Sequence, residues 1–135
     1  MKRLALIAVL LLTSCTTNFE EILPIGTYSA QVKNGTLSVE LLGNGVCRVS
    51  ITDGFDISDG TYYYSAGGEA IVIKAAVAQH YEYAKPGTTT EGWRNIYSFT
   101  GNGGRVTSST SFTHAVTENA PLSDEKLIQL TFTKQ

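Results

Sequence analysis

The sequence predicts an all-β domain, an antiparallel up-and-down meander of about eight strands closed or nearly closed into a barrel, with a two-sheet β-sandwich as the alternative. Three observations carry this reading. Thirteen glycines, seven tyrosines and one methionine, among many Thr, Val and Ile, favour strand over helix. Apolar residues recur at every second position in run after run, the period of a half-buried strand. Turn signals near residues 34, 44, 53–60 and 67 recur at about the 8–12-residue spacing of a sandwich or barrel. Closing about eight strands on themselves removes exposed edges and leaves an interior that side chains fill or that holds one small ligand.

The elements follow in order from residue 26. Tyr28, Ala30 and Val32 share one face of a first strand, which ends at Asn34-Gly35, a pair that tolerates positive φ and signals a hairpin. Leu37, Val39 and Leu41 line a second strand, Gly43-Asn44-Gly45 turns the chain, and Cys47, Val49 and Ile51 line a third. Asp53-Gly54 and Asp59-Gly60 bracket a short excursion. Residues 61–66 (TYYYSA) and 70–75 (AIVIKA) form strands around Gly67-Gly68, and residues 75–84 (AAVAQHYEYA) continue as extended chain. Residues 85–92 (KPGTTTEG) read as a loop. Residues 96–100 and 106–112 are expected to flank a hairpin turn at Gly101-Asn102-Gly103-Gly104, with Ser108 to Ser111 as polar strand positions. Residues 114–126 read as a long connection with room for one helical turn. Ile128, Leu130 and Phe132 alternate in a final strand.

Ahead of this domain, Lys2 and Arg3 precede an apolar run, Leu4 to Leu12, about half the roughly 20 residues that a membrane-spanning helix needs. Leu12-Thr13-Ser14-Cys15 follows, a leucine, two small residues and a cysteine. This resembles the lipobox of bacterial lipoproteins. The resemblance implies a diacylglycerol thioether on Cys15, cleavage before it, and N-acylation of the new terminus. Two or three acyl chains anchor stably where one would be reversible. The expected organisation is therefore a signal peptide at 1–14, a lipidated tether at 15–25 and the β domain at 26–135. The expected location is the bacterial envelope, lipid-anchored at the outer membrane on its periplasmic or surface face. Glu20-Glu21 read as a plain acidic linker or, by resemblance, as the acidic mark of surface export in some Gram-negative anaerobes.

Loss of residues 1–14 leaves 121 residues, enough for one domain, with eight basic against twelve acidic side chains. An acidic balance without a Lys/Arg cluster argues against nucleic acid as a partner. With Cys15 acylated, Cys47 is the sole thiol, so no intrachain disulfide forms, and an inert core position suits it.

Catalytic patterns are absent from the sequence. His80, in Gln79-His80-Tyr81-Glu82, and His114 read as surface histidines beside loops, since neither has the spacing of a metal set or an acid–base pair. No nucleophile elbow surrounds any serine. The glycines at 101–104 lack the Lys-Ser or Lys-Thr and the helix of a phosphate loop. No cofactor or metal is expected. The aromatic residues Tyr62, Tyr64, Tyr81, Tyr83 and Trp93 are the candidate ligand contacts, because tyrosine offers apolar area with a hydrogen-bonding tip. Ordinary strand packing is the competing explanation.

Gly26-Thr27-Tyr28 stands where lipocalins carry Gly-x-Trp on their first strand, and with the strand count across 26–135 the domain resembles a small lipocalin-like, calycin-type lipoprotein. That resemblance implies a monomeric, non-enzymatic barrel that binds a small apolar molecule, a glycan or a protein while the acyl chains hold the membrane. The alternatives are a small envelope enzyme using His80 or His114, and a structural envelope component.

Overall fold

The computed structural model describes residues 19–33, 35–52, 57–85, 88–119 and 125–135, the side chains of 79–94 apart. Cys15 and residues 1–14 lie outside the described residues, as do Asn34, Asp53 to Asp56 and Ala120 to Asp124. Among the described residues, nine strands form one antiparallel sheet: β1 (Gly26–Val32), β2 (Gly35–Gly43), β3 (Val46–Ile51), β4 (Ser58–Ser65), β5 (Ala70–Lys74), β6 (Ala76–Lys85), β7 (Thr88–Ser108), β8 (Ser111–Asn119) and β9 (Glu125–Lys134). Their order is β5-β4-β3-β2-β1-β9-β8-β7-β6, and β5 also pairs with β7. Eight strands thus close into a ring, with β6 outside it as the prolongation of β5 beyond Ala75. The expected meander and barrel are both present.

The first three strands form where alternation and turn chemistry coincide. Leu37, Val39 and Leu41 on β2 and Cys47, Val49 and Ile51 on β3 all point inward and are buried. The β2–β3 turn places Asn44 at φ 53° and Gly45 at φ 80°, and positive φ at both central residues matches the twist of the flanking strands. The interior is filled by side chains, as an eight-stranded ring permits. Tyr28, Phe99, Phe112 and Phe132 pack ring against ring, with Phe112 and Phe132 stacked at 5.0 Å.

Four expectations change on the second half of the ring. Gly101 to Gly104 are no hairpin turn. They lie inside β7, where Phe99 pairs with Val116 and Gly104 already pairs with His114, so the chain bulges outward between the two positions. The hairpin falls later, at Ser109-Thr110, which makes Ser108 to Ser111 turn residues stitched by their own hydroxyls. Of the segment 85–92, Lys85 and Thr88 to Gly92 are strand rather than loop, since β6 and β7 remain paired from Ala76↔Ser98 to Lys85↔Thr88, and Pro86 and Gly87 lie outside the described residues. The long connection expected from residue 114 starts with strand, because β8 runs to Asn119 and pairs with β9 through Asn119↔Glu125.

The fourth change concerns His114. It is wholly buried in the core, not at the surface. It lies on the same face as Phe112 and Val116, and the bulge explains why it is there. Beyond Ile71↔Gly104 the β5–β7 ladder is interrupted, and the Ile73 amide donates instead to His114 Nε2 at 3.0 Å. The imidazole thus replaces a missing strand partner at the seam that closes the ring. A backbone N–H only donates, so Nε2 carries no proton, and Nδ1 donates to the Ala115 carbonyl at 2.7 Å. Burial lowers the pKa of His114 below its ordinary value, against a smaller opposing contribution from the Ala115 bond.

Candidate functional site

Strand direction sorts the ring into two rims. One carries the β2–β3 turn, the 3-10 turn at Ala66–Gly68 between β4 and β5, the β7–β8 turn, and the start of β1. The other carries the Lys33 turn and the outward extension of the β6–β7 hairpin. Tyr62 and Tyr64 lie toward the first rim, one turn of pleat apart on the inner face of β4. The backbone of Tyr81, Tyr83 and Trp93 belongs to the β6–β7 extension beyond the second rim, and their side chains lie outside the described residues. Of the five aromatic candidates, only Tyr62 and Tyr64 thus have described side chains, and these two share the first rim.

Tyr62 and Tyr64 meet residues 19–25, which lie across the first rim as a strap. Phe19 packs edge-on to Tyr62 at 5.4 Å and tilted to Tyr64 at 5.9 Å. The Tyr62 hydroxyl donates to both Glu21 oxygens, at 2.7 and 2.9 Å, and the Asn44 amide donates to Glu21 Oε1 at 3.0 Å. Tyr64 donates to Glu21 Oε2 at 3.4 Å and accepts the Leu23 amide at 3.2 Å. Leu23 is fully buried, and Tyr28 donates to the Pro24 carbonyl at 2.7 Å. Burial, then the neighbouring Tyr64 and Glu21, pushes Tyr28 up to about 12. Burial is also the main cause of the raised values of Tyr62 and Tyr64, with Glu21 adding to both. All three phenols stay protonated donors across the physiological range.

In the sequence these residues read as part of a tether, not as a strap. Phe19, Glu21 and Leu23 point toward the rim while Glu20 and Ile22 face out, which is the period of a strand. A carboxylate in the inward set disguises that alternation, and its tyrosine partners stand some forty residues away. We expect Glu21→Gln and Tyr62→Phe each to destabilise the protein by about 1.5–3 kcal/mol, the range for hydrogen bonds to a charged group. A double-mutant cycle read by urea denaturation should return a positive coupling energy. Additive effects would show that the pair does not hold the strap.

Outside the strap, a cleft of about 450 Å³ opens between Phe19, Glu20 and Ile22 on one side and Tyr63, Tyr64 and the Ser65-to-Gly68 turn on the other. It offers aromatic faces, an exposed carboxylate and backbone groups of a glycine turn. Cys47 is buried with its thiol pushed up to about 11, chiefly by burial, so it is a poor nucleophile. Both ring nitrogens of His114 are committed to backbone groups. His80 has its side chain outside the described residues. Among the described residues no group of three His, Cys, Asp or Glu could hold a metal ion.

Compared with protein-family models, with curated proteins and with solved structures, the chain finds no match in any of the three.

Proposed function

We propose that this chain is a non-enzymatic binding module of the bacterial envelope, lipocalin-like in architecture, anchored through acylated Cys15 at the outer membrane and binding a small ligand with a flat apolar or sugar face. The observation that carries the proposal is the open cleft against Phe19, Tyr63 and Tyr64 on a ring whose interior is occupied by side chains. The ligand then sits at the rim beside the strap rather than inside the barrel. Tyrosine and phenylalanine faces stack on such ligands, and the Glu20 carboxylate offers hydrogen bonds to hydroxyls.

Native mass spectrometry of the protein purified from its own host tests the binding reading. A retained small molecule, lost from the Tyr63→Ala variant, is the expected result, whereas equal retention by that variant removes the cleft as the site. Histidine-dependent turnover on a screened substrate, abolished by His80→Ala, would replace the proposal with a catalytic one. The anchor is tested separately. Cys15→Ala should abolish incorporation of a fatty-acid probe and leave the precursor uncleaved, and persistent labelling would refute lipidation there.

A further inference from the structure

We infer that the strap-bearing rim lies against a zwitterionic lipid surface, with the residues around the cleft seated at the headgroup level. The inference rests on the proposed acylation of Cys15 and goes beyond it, since an anchor alone does not orient a domain.

Two independent observations carry it. The first is the length of the leash. An eleven-residue tether would let a barrel tumble freely above its anchor, but the chain is already fixed to the rim at Phe19, by ring contacts with Tyr62 and Tyr64. Four residue steps separate Cys15 from Phe19, at most about 14 Å of extended chain. A strand of the ring such as β2, nine residues long, spans about 30 Å. The leash is shorter than the barrel is tall, so it brings the strap-bearing rim to the bilayer and not the opposite one.

The second is the distribution of exposed apolar side chains. Of the seven large hydrophobic residues that are exposed among the described residues, five belong to this rim: Ile22, Ile25, Leu42, Val46 and Tyr63, each 37–56 % exposed. Packing gathers them around the strap. Ile25 lies over Gly43 beside Leu42, Ile22 lies over Gly68, and Phe19 covers Gly45 next to Val46. The remaining two, Ile57 and Leu127, are scattered toward the other rim. Grouped exposed apolar residues mark interaction surfaces, while single ones need no explanation. Glu20 and Glu69 stand at the rim with Lys134, which lies beside Gly26, and Lys74, at the far end of β5, reaches over the Tyr63 ring at 5.8 Å. Mixed charge of this kind suits zwitterionic headgroups better than a strongly anionic surface. An aromatic ring with a polar tip belongs at that depth.

The acylated full chain reconstituted in phosphatidylcholine vesicles with brominated acyl chains tests this. In a Trp93→Phe background, a tryptophan placed by Tyr63→Trp should be quenched at least twofold more than one placed by Leu127→Trp at the far rim. Equal quenching at the two positions, on protein whose mass shows the acyl chains, overturns the orientation and leaves the anchor intact. A mass without acyl chains removes the leash, and the orientation falls with it. Hydrogen exchange needs no substitution within the β domain. Amides of residues 43–45 and 66–69 should slow on vesicles relative to the same chain in detergent-free solution as Cys15→Ala, with Lys33 and Thr52 unchanged, and equal slowing at both rims would count against the proposal.

Discussion

Gly104→Ala should come close to unfolding the protein, while Gly101→Ala, three residues earlier in the same glycine-rich stretch, should be harmless. A methyl group on Gly104 would coincide with the Thr113 carbonyl and crowd the His114 Cα on β8, backbone atoms that no rotamer change moves. Gly104 is also one of the two β7 residues that pair with β5 and close the ring. Relieving the clash therefore means parting β7 from β8 at the position where β7 must also hold β5. Overpacking ordinarily costs about 1–3 kcal/mol, and a clash with fixed backbone at a closure point belongs at or above the top of that range. For a domain of this size the expected fall in melting temperature is about 10 °C or more. A methyl group on Gly101 meets nothing within 4 Å, so its effect should stay within about 0.5 kcal/mol, the usual span for surface changes. Thermal denaturation of the two variants decides. Similar melting temperatures would mean that the stretch is the simple turn that its composition suggests, not a bulge wedged against β8.

That contrast shows where sequence patterns stop carrying information about this fold. The β1–β2–β3 meander was legible because each of its instructions is local: Leu37, Val39 and Leu41 alternate, Asn44-Gly45 favours two positive φ values, and neighbours in sequence are neighbours in the sheet. Gly101 to Gly104 carry the same local signal. Their outcome is decided by β5, some thirty residues earlier, whose pairing with β7 leaves no room for a chain reversal. The residues of the strap were hidden for a related reason. Glu21 reads as a solvated linker acid until Tyr62 and Tyr64 are brought to it by the curvature of the ring. Of the aromatic candidates, Tyr62 and Tyr64 alternate along β4 and so share one face, yet composition alone could not say that their hydroxyls would be taken by the protein's own strap. His114 follows the period of Phe112 and Val116, and its polarity argued against a position that its spacing favoured.

That histidine should make the fold acid-sensitive at a pH where most domains are near their most stable. The unfolded chain takes up a proton on His114 near the ordinary value of 6.5, whereas the buried ring resists protonation until lower pH. Between those two points the unfolded state holds more protons, so stability falls as pH falls. The contribution is complete above about pH 6.5 and is lost progressively on acidification through the lowered folded-state value, at up to about 1.4 kcal/mol per pH unit. Geometry gives the same sign independently. A proton on Nε2 would set one N–H against the Ile73 N–H and leave that buried amide without an acceptor at the closing seam. His114→Ala should cost about 3 kcal/mol or more at pH 8, through the cavity beside Phe99 and the orphaned Ile73 amide. His114→Gln supplies a side-chain acceptor that does not titrate in this range. Urea denaturation between pH 8 and pH 5 should therefore show a steeper loss of stability in the native protein than in His114→Gln, the excess beginning near pH 6.5. Parallel curves would mean that the imidazole is not held neutral in the core, and with that the account of how β5 and β7 are joined across the bulge would fail.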